Sequence, residues 1–256
     1  MRLSIRSSKG GVGKSTVAIS LAKVFASEGH HVLLMDRDIV GYASYLAGIN
    51  GPGLVASLAD GKDVDVIREF PIGRGSITIL KYFGDGPRFR PDLEKIHKDK
   101  DLMNLGWKYY NEFLTRRKYS CFIVDNAPMV MPNDEINVYE HRQFRSLFPN
   151  VPLRYLIVSD SLTQTIEDNV RYSKAIESPE QQILGFIINM IKPQDLKKYE
   201  DVIRKVINEL ECRIGVLMPF NEELFQFSGS IEDFPVPQQM KELAKRIKTE
   251  EHGIIA

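Results

Sequence analysis

The feature that most limits the fold is a glycine-rich loop joining two unlike segments near the start of the chain. The run RLSIRS leads into SKGGVGKST, and a stretch follows in which Val17, Leu21 and Phe25 recur at helical spacing until Gly29. A strand, a tight glycine turn and a helix in that order open a βα unit. Gly29 falls where a left-handed cap ends the helix. Such a turn gathers backbone N–H groups at the positive end of a helix dipole, so it is also an anion site.

The rest of the chain repeats this alternation. HHVLLMD, SITIL, YSCFIVD, LRYLIVS, QILGFIIN and IGVLM are short apolar runs, several without polar alternation, as expected for parallel strands covered on both faces. Helical stripes lie between them, for example Leu196, Tyr199, Ile203, Val206 and Leu210, and later Met240, Leu243 and Ile247. The expected fold is α/β and three-layered, a mostly parallel central sheet with helices on both faces, in a single domain over residues 1–256. Residues 84–118 read as a turn and one long charged helix, and the tail after Thr249 as a frayed end.

The loop has its own chemistry. Counting back from Gly13-Lys14-Ser15, the ordinary phosphate-loop pattern G-x-x-x-x-G-K-[ST] requires glycine where Ser8 stands, and a second lysine, Lys9, stands at the loop's mouth. Gly10, Gly11 and Gly13 can take positive φ around Val12, which lets the loop backbone close on phosphate oxygens. Lys14 then neutralises β- and γ-phosphate charge, Ser15 ligates Mg²⁺, and Thr16 meets the α-phosphate. Lys9 has no such task inside its own subunit, because Lys14 already fills the pocket. Its ammonium is free for a nucleotide presented from outside.

Lys9 to Ser15 meet K-G-G-x-G-K-[ST] at every position, and the sequence here resembles the deviant Walker A family of ParA, MinD and their relatives. The resemblance implies a P-loop NTPase fold and an ATP-bound homodimer in which Lys9 reaches the partner's phosphates. It also implies ATP and Mg²⁺ as cofactors, with Lys9, Lys14 and Asp38 as the catalytic set. In LLMDRDIVGYASYLAGI, Asp36 and Asp38 match the two aspartates of switch I, the second of which positions the attacking water. Ala43 stands near where an asparagine is common. CFIVDNAP resembles switch II, with Asp125 behind a Mg²⁺-bound water, Ala127 in place of a proline and Met129 where glycine is frequent. Ser15, Asp36, Asp38 and Asp125 are thus the metal set. Asn189, at the end of GFIINMI, and Pro219 and Phe220, after the last apolar strand, fall where the family holds the base.

Composition narrows the job. Lys+Arg and Asp+Glu both total 34, so no whole-molecule field favours nucleic acid or acidic partners. Cys121 and Cys212 are far apart and form no metal-binding pair, unlike the iron–sulfur and nickel branches of the superfamily. No apolar run is long enough to span a membrane, and the compartment expected is the cytoplasm. The tail carries Glu250 and Glu251 beside only Ile254 and Ile255, which argues against membrane docking. Basic clusters at Lys197, Lys198, Arg204 and Lys205, at Lys241, Lys245, Arg246 and Lys248, and between Arg88 and Lys118 keep nonspecific DNA open as a partner. The expected function is an ATP-hydrolysing, dimerising switch of the positioning or partitioning type, accelerated by a partner protein. The alternatives are a small-molecule ligase of the dethiobiotin-synthetase type and a nucleotide-binding adaptor that has lost hydrolysis.

Overall fold

The computed structural model describes the backbone of residues 1–256 and every side chain except that of Ile136. Nine strands form one sheet: β1 (Arg2–Arg6), β2 (His31–Arg37), β3 (Ile67–Ile72), β4 (Gly75–Lys81), β5 (Cys121–Asn126), β6 (Leu153–Ser159), β7 (Gln181–Ile191), β8 (Ile214–Pro219) and β9 (Gly253–Ile255). Their order across the sheet is β3-β4-β2-β5-β1-β6-β7-β8-β9, and every pairing is parallel except β3 with β4. The helices are α1 (Lys14–Ser27), α2 (Tyr42–Leu46), α3 (Leu54–Asp60), α4 (Phe89–Lys98), α5 (Lys100–Thr115), α6 (Glu135–Leu147), α7 (Thr163–Ile176), α8 (Leu196–Glu209), α9 (Glu222–Phe225) and α10 (Gln238–Thr249). The α/β expectation holds.

Strand alternation sorts the core into layers. Leu3 and Ile5 of β1, with Val32 and Leu34 of β2, face the apolar cluster built on α1 and α10. The opposite face carries two clusters, one under α3 to α6 and one under α7 and α8. Between these two lies β1, whose Arg2, Ser4 and Arg6 are all buried. The middle strand therefore draws a polar seam through an otherwise apolar layer.

Three expectations need correction. Residues 84–118 form two helices, because the Asp99 side chain accepts from the N–H groups of Asp101 and Leu102 and caps α5 anew. Before β4 the chain makes an extra antiparallel strand, β3; it lies at the sheet edge, where Pro71 costs no ladder bond. The tail is not frayed: β9 pairs with β8, the Gly253 N–H donates to the Arg213 carbonyl (3.0 Å), and Ile255 is buried.

Candidate functional site

The carboxyl ends of β1, β2, β5, β7 and β8 converge around the loop after β1, the crevice where open α/β sheets bind ligands. Gly11 (φ 75°) and Gly13 (φ 98°) hold left-handed backbone. At position 13 a Cβ would sit 2.2 Å from Asn189 Nδ2, so only glycine lets β7 close on the loop. The first N–H bonded within α1 is that of Val17, to the Gly13 carbonyl (3.1 Å). The amides of Lys14, Ser15 and Thr16 thus lack intrahelical acceptors and face the anion position.

A cavity of about 320 Å³ opens over these groups, lined on the loop side by Gly11, Gly13, Lys14, Ser15, Thr16 and Asp38. Lys14 is 4% exposed, and its ammonium lies 3.9 Å from Asp38 Oδ2. The other Asp38 oxygen accepts from the Val40 N–H (2.9 Å). Asp125, fully buried at the end of β5, has no hydrogen-bond partner on either oxygen among the described residues. Burial pushes its pKa well up, Asp36 adds to the push, and Lys14 and the Ser15 hydroxyl oppose it. Asp125, like Asp36, does not line the cavity, but an orphaned buried carboxylate beside the cavity-lining Ser15 hydroxyl and Asp38 is a hard oxygen donor set whose chemistry fits Mg²⁺.

The structure gives Asp36 a different setting. Its Oδ2 accepts from the Ser44 N–H (2.8 Å) and hydroxyl (2.7 Å), its Oδ1 from the Asp38 N–H (3.2 Å), and it lines no part of the cavity. Burial raises its pKa to about 6 despite those bonds. Asp36 ties α2 to β2, and Ala43 is buried in α2 without adding a polar group.

Lys9 turns away from the cavity. Its ammonium donates to Asp160 Oδ2 (3.1 Å) just beyond β6 and to Thr165 Oγ1 (3.5 Å) in the first turn of α7, and its side chain stays half exposed. Behind it the Ser8 N–H donates to Asn169 Oδ1 (2.7 Å), which pins the loop's entrance to α7. Gly10 is exposed, and its nearest neighbour to an added Cβ would be Pro128, 4.0 Å away. Val12 is buried, its carbonyl accepting from Asn189 Nδ2 (2.9 Å). Asn189 does line the cavity, but with this donor committed to the loop.

The far half of the cavity is aromatic. Pro219 and Phe220 line it as expected, joined by Val40, Tyr42, Phe225 and Phe227. The rings of Phe220 and Phe225 lie 5.6 Å apart, and both are exposed. Tyr42 donates its hydroxyl to the Phe227 carbonyl (2.9 Å), which ties the α2 side of the mouth to the α9 side. Sequence reasoning missed these four; the one signal was the aromatic density of NEELFQF after Phe220. In the segment after Asp125, Met129 holds φ 59°, the left-handed region glycine enters freely, with its N–H on the Ser7 carbonyl (2.9 Å).

Residues 3–232 match the family model described as the CobQ/CobB/MinD/ParA nucleotide binding domain (CbiA). The chain belongs to this family. No curated protein matches the sequence. Among solved structures, MinD in the MinC:MinD cell division complex of Aquifex aeolicus is 20% identical, with a TM-score of 0.63 over 100% of this chain and 98% of that one. The septum site-determining protein MinD of Pyrococcus horikoshii, complexed with Mg-ADP, is 18% identical at a TM-score of 0.63 over 97% and 96%. A variant of Cyanothece McdA in complex with ATP is 15% identical at 0.62 over 100% and 98%. At these identities the likeness carries the fold, and the family match carries membership among MinD/ParA-type nucleotide-binding ATPases.

Arg88, Lys98, Arg117, Arg246 and Lys248 are ion-paired within the chain's own surface. Lys197, Lys198, Arg204 and Lys205 of α8 are exposed and enter no ion pair among the described residues. No described helix is long and apolar enough to cross a membrane.

Proposed function

We propose that this protein is a Mg²⁺-dependent ATPase that dimerises on ATP and separates after hydrolysis, working as a positioning or partitioning switch. The observation that carries the reading is the division of labour between the two loop lysines. Lys14 is buried at the cavity floor, while Lys9 is held outside it by Asp160. A cation parked at the rim, on a weak exposed ion pair, is available to a triphosphate on a facing copy.

The chain's residues then divide the work. The open amides of the loop and of α1's first turn cradle the phosphates, with Thr16 at the α-phosphate. Ser15 and Asp125 would hold Mg²⁺, which supplies neutralisation of phosphate charge when bound. Asp38 Oδ2 accepts a hydrogen bond from water and orients it towards the γ-phosphorus. The new P–O bond forms as the bond to the ADP oxygen breaks, and charge on the transferred group is met by Lys14 and the partner copy's Lys9. Phe220 and Phe225 stack on the base. No strong general base adjoins the water, so turnover alone is slow and a partner protein is the means of acceleration. The exposed, unpaired lysines and arginine of α8 make nonspecific DNA the docking matrix this surface favours over a membrane.

The test is light scattering after gel filtration, with Asp38→Ala blocking hydrolysis. A dimer with Mg-ATP and a monomer with ADP are expected. A dimer independent of nucleotide, with turnover that requires a small carboxylate or amine, would instead mark a ligase.

A further inference from the structure

The polar seam under β1 holds an imbalance of charge. Arg2, Arg6 and Arg37 are each buried to 6% exposure or less. Glu140 of α6 accepts from two of them: Arg2 Nη2 donates to its Oε2 (2.7 Å), and so does Arg37 Nη1 (3.1 Å). Its Oε1 accepts from the Tyr110 hydroxyl. Arg6 has only neutral acceptors, the Val130 carbonyl (2.7 Å), Ser4 Oγ (3.2 Å) and the Tyr172 hydroxyl (3.5 Å). Arg2 shares its carboxylate with Arg37, and Arg6 has none among the described residues, which leaves positive charge in a low-dielectric layer, where charge without a counterion is costly.

Beside them is a small cavity of about 30 Å³, lined by Arg2, Ser4, Arg6, Asn137, Glu140 and Tyr155, with half-buried Pro132, His141 and Gln181 at its mouth. Arg2 Nη1 is buried there with no hydrogen-bond partner among the described residues. That volume is enough for a water molecule or a small anion. Water would accept the orphan N–H but leave the charge.

We propose that this cavity is a site for a small monovalent anion, chloride being the common one, bound by Arg2 Nη1 and the field of Arg2 and Arg6. The site is separate from the nucleotide cavity but touches the segment that follows Asp125. Arg6 holds the Val130 carbonyl and Asn137 Nδ2 holds the Met131 carbonyl (2.6 Å), both just beyond Asp125 and Met129. A bound anion fixes Arg2 and Arg6, and through Arg6 it stiffens the exit of switch II.

The experiment uses the full chain with saturating Mg-ADP, so that the phosphate loop is not the halide site. Exchange of gluconate for chloride at constant ionic strength should raise the melting temperature saturably, by roughly 3 °C at about tenfold over the dissociation constant. Crystals grown in bromide should show an anomalous peak against Arg2 Nη1. Arg2→Met, which keeps the stem and leaves Glu140 paired with Arg37, should abolish the halide response; a response retained in that variant overturns the site. The bromide map of the unsubstituted protein decides whether or not the variant folds. A peak confined to the phosphate loop or the surface, or no peak, overturns the proposal.

Discussion

Lys9 Nζ sits 3.1 Å from Asp160 Oδ2, outside the cavity whose floor is Lys14. The contact restrains the cation that the proposed dimer needs. An ion pair with one partner half exposed is worth about 0.2–1 kcal/mol. Asp160→Asn should therefore favour the ATP-bound dimer roughly 1.4- to 5-fold per subunit, read as a lower dimer dissociation constant by light scattering. Lys9→Ala should leave ATP binding to the monomer nearly unchanged and abolish the dimer. Equal dimerisation in all three proteins would remove Lys9 from the interface.

Asp125 and Asp36 predict a pH dependence. Both carboxyls have pKa values raised by burial, to about 6 for Asp36 and well up for Asp125. A raised acid binds protons in the folded state that the unfolded chain has released. Its stabilisation is full below the unfolded value, ~3.9, and is lost as pH rises through the folded one. Nucleotide-free protein in chelator should thus melt at lower temperature at pH 8 than at pH 5. Asp125→Asn should flatten that slope and raise apo stability at pH 8 by about 1–3 kcal/mol, the cost of an unsatisfied buried polar group. An unchanged slope would place the proton uptake elsewhere.

What could be read from the sequence was what lay contiguous in it. Lys9 to Thr16 form one local turn, so their order already encodes their geometry. Asp125 was legible because it ends a fully apolar strand at the sheet's carboxyl edge. The seam was not legible: Arg2, Ser4 and Arg6 alternate with Leu3 and Ile5 as on a strand with one wet face, yet both faces are buried. Nothing local signals that Glu140, 138 residues on from Arg2, will meet it. Asp36 matched a motif, but its role was set by Ser44 at the start of the next helix, a contact invisible to spacing alone. Phe225 ends, and Phe227 follows, a four-residue helix too short to carry a period.

Phe225 offers a test of the aromatic half of the cavity. It is 69% exposed, so its removal should cost little stability. If its ring stacks on the base together with Phe220, Phe225→Ala should weaken ATP and ADP alike, by roughly 2- to 13-fold for a stacking contribution of about 0.5–1.5 kcal/mol. Inorganic triphosphate, which has no base, should bind both proteins equally. A melting temperature that falls with no change in nucleotide affinity would mean the ring serves packing.

The closing strand makes the last prediction. β9 is three residues long, yet it pairs with β8, and Ile255 lies 5% exposed in the cluster around α1 and α10. Ending the chain at Glu251 removes that side chain and the half-buried Ile254, and leaves β8 as a bare edge. Burial of one isoleucine is worth about 1.5–3 kcal/mol, and the lost ladder bonds add to it. Urea unfolding should show a lower midpoint with an unchanged slope, corresponding to a loss of about 2–4 kcal/mol. Because the cavity is built from other strand ends, nucleotide affinity should persist below the new midpoint. An unaltered midpoint would return these residues to the status of a loose tail, with Ile254 and Ile255 free for another surface.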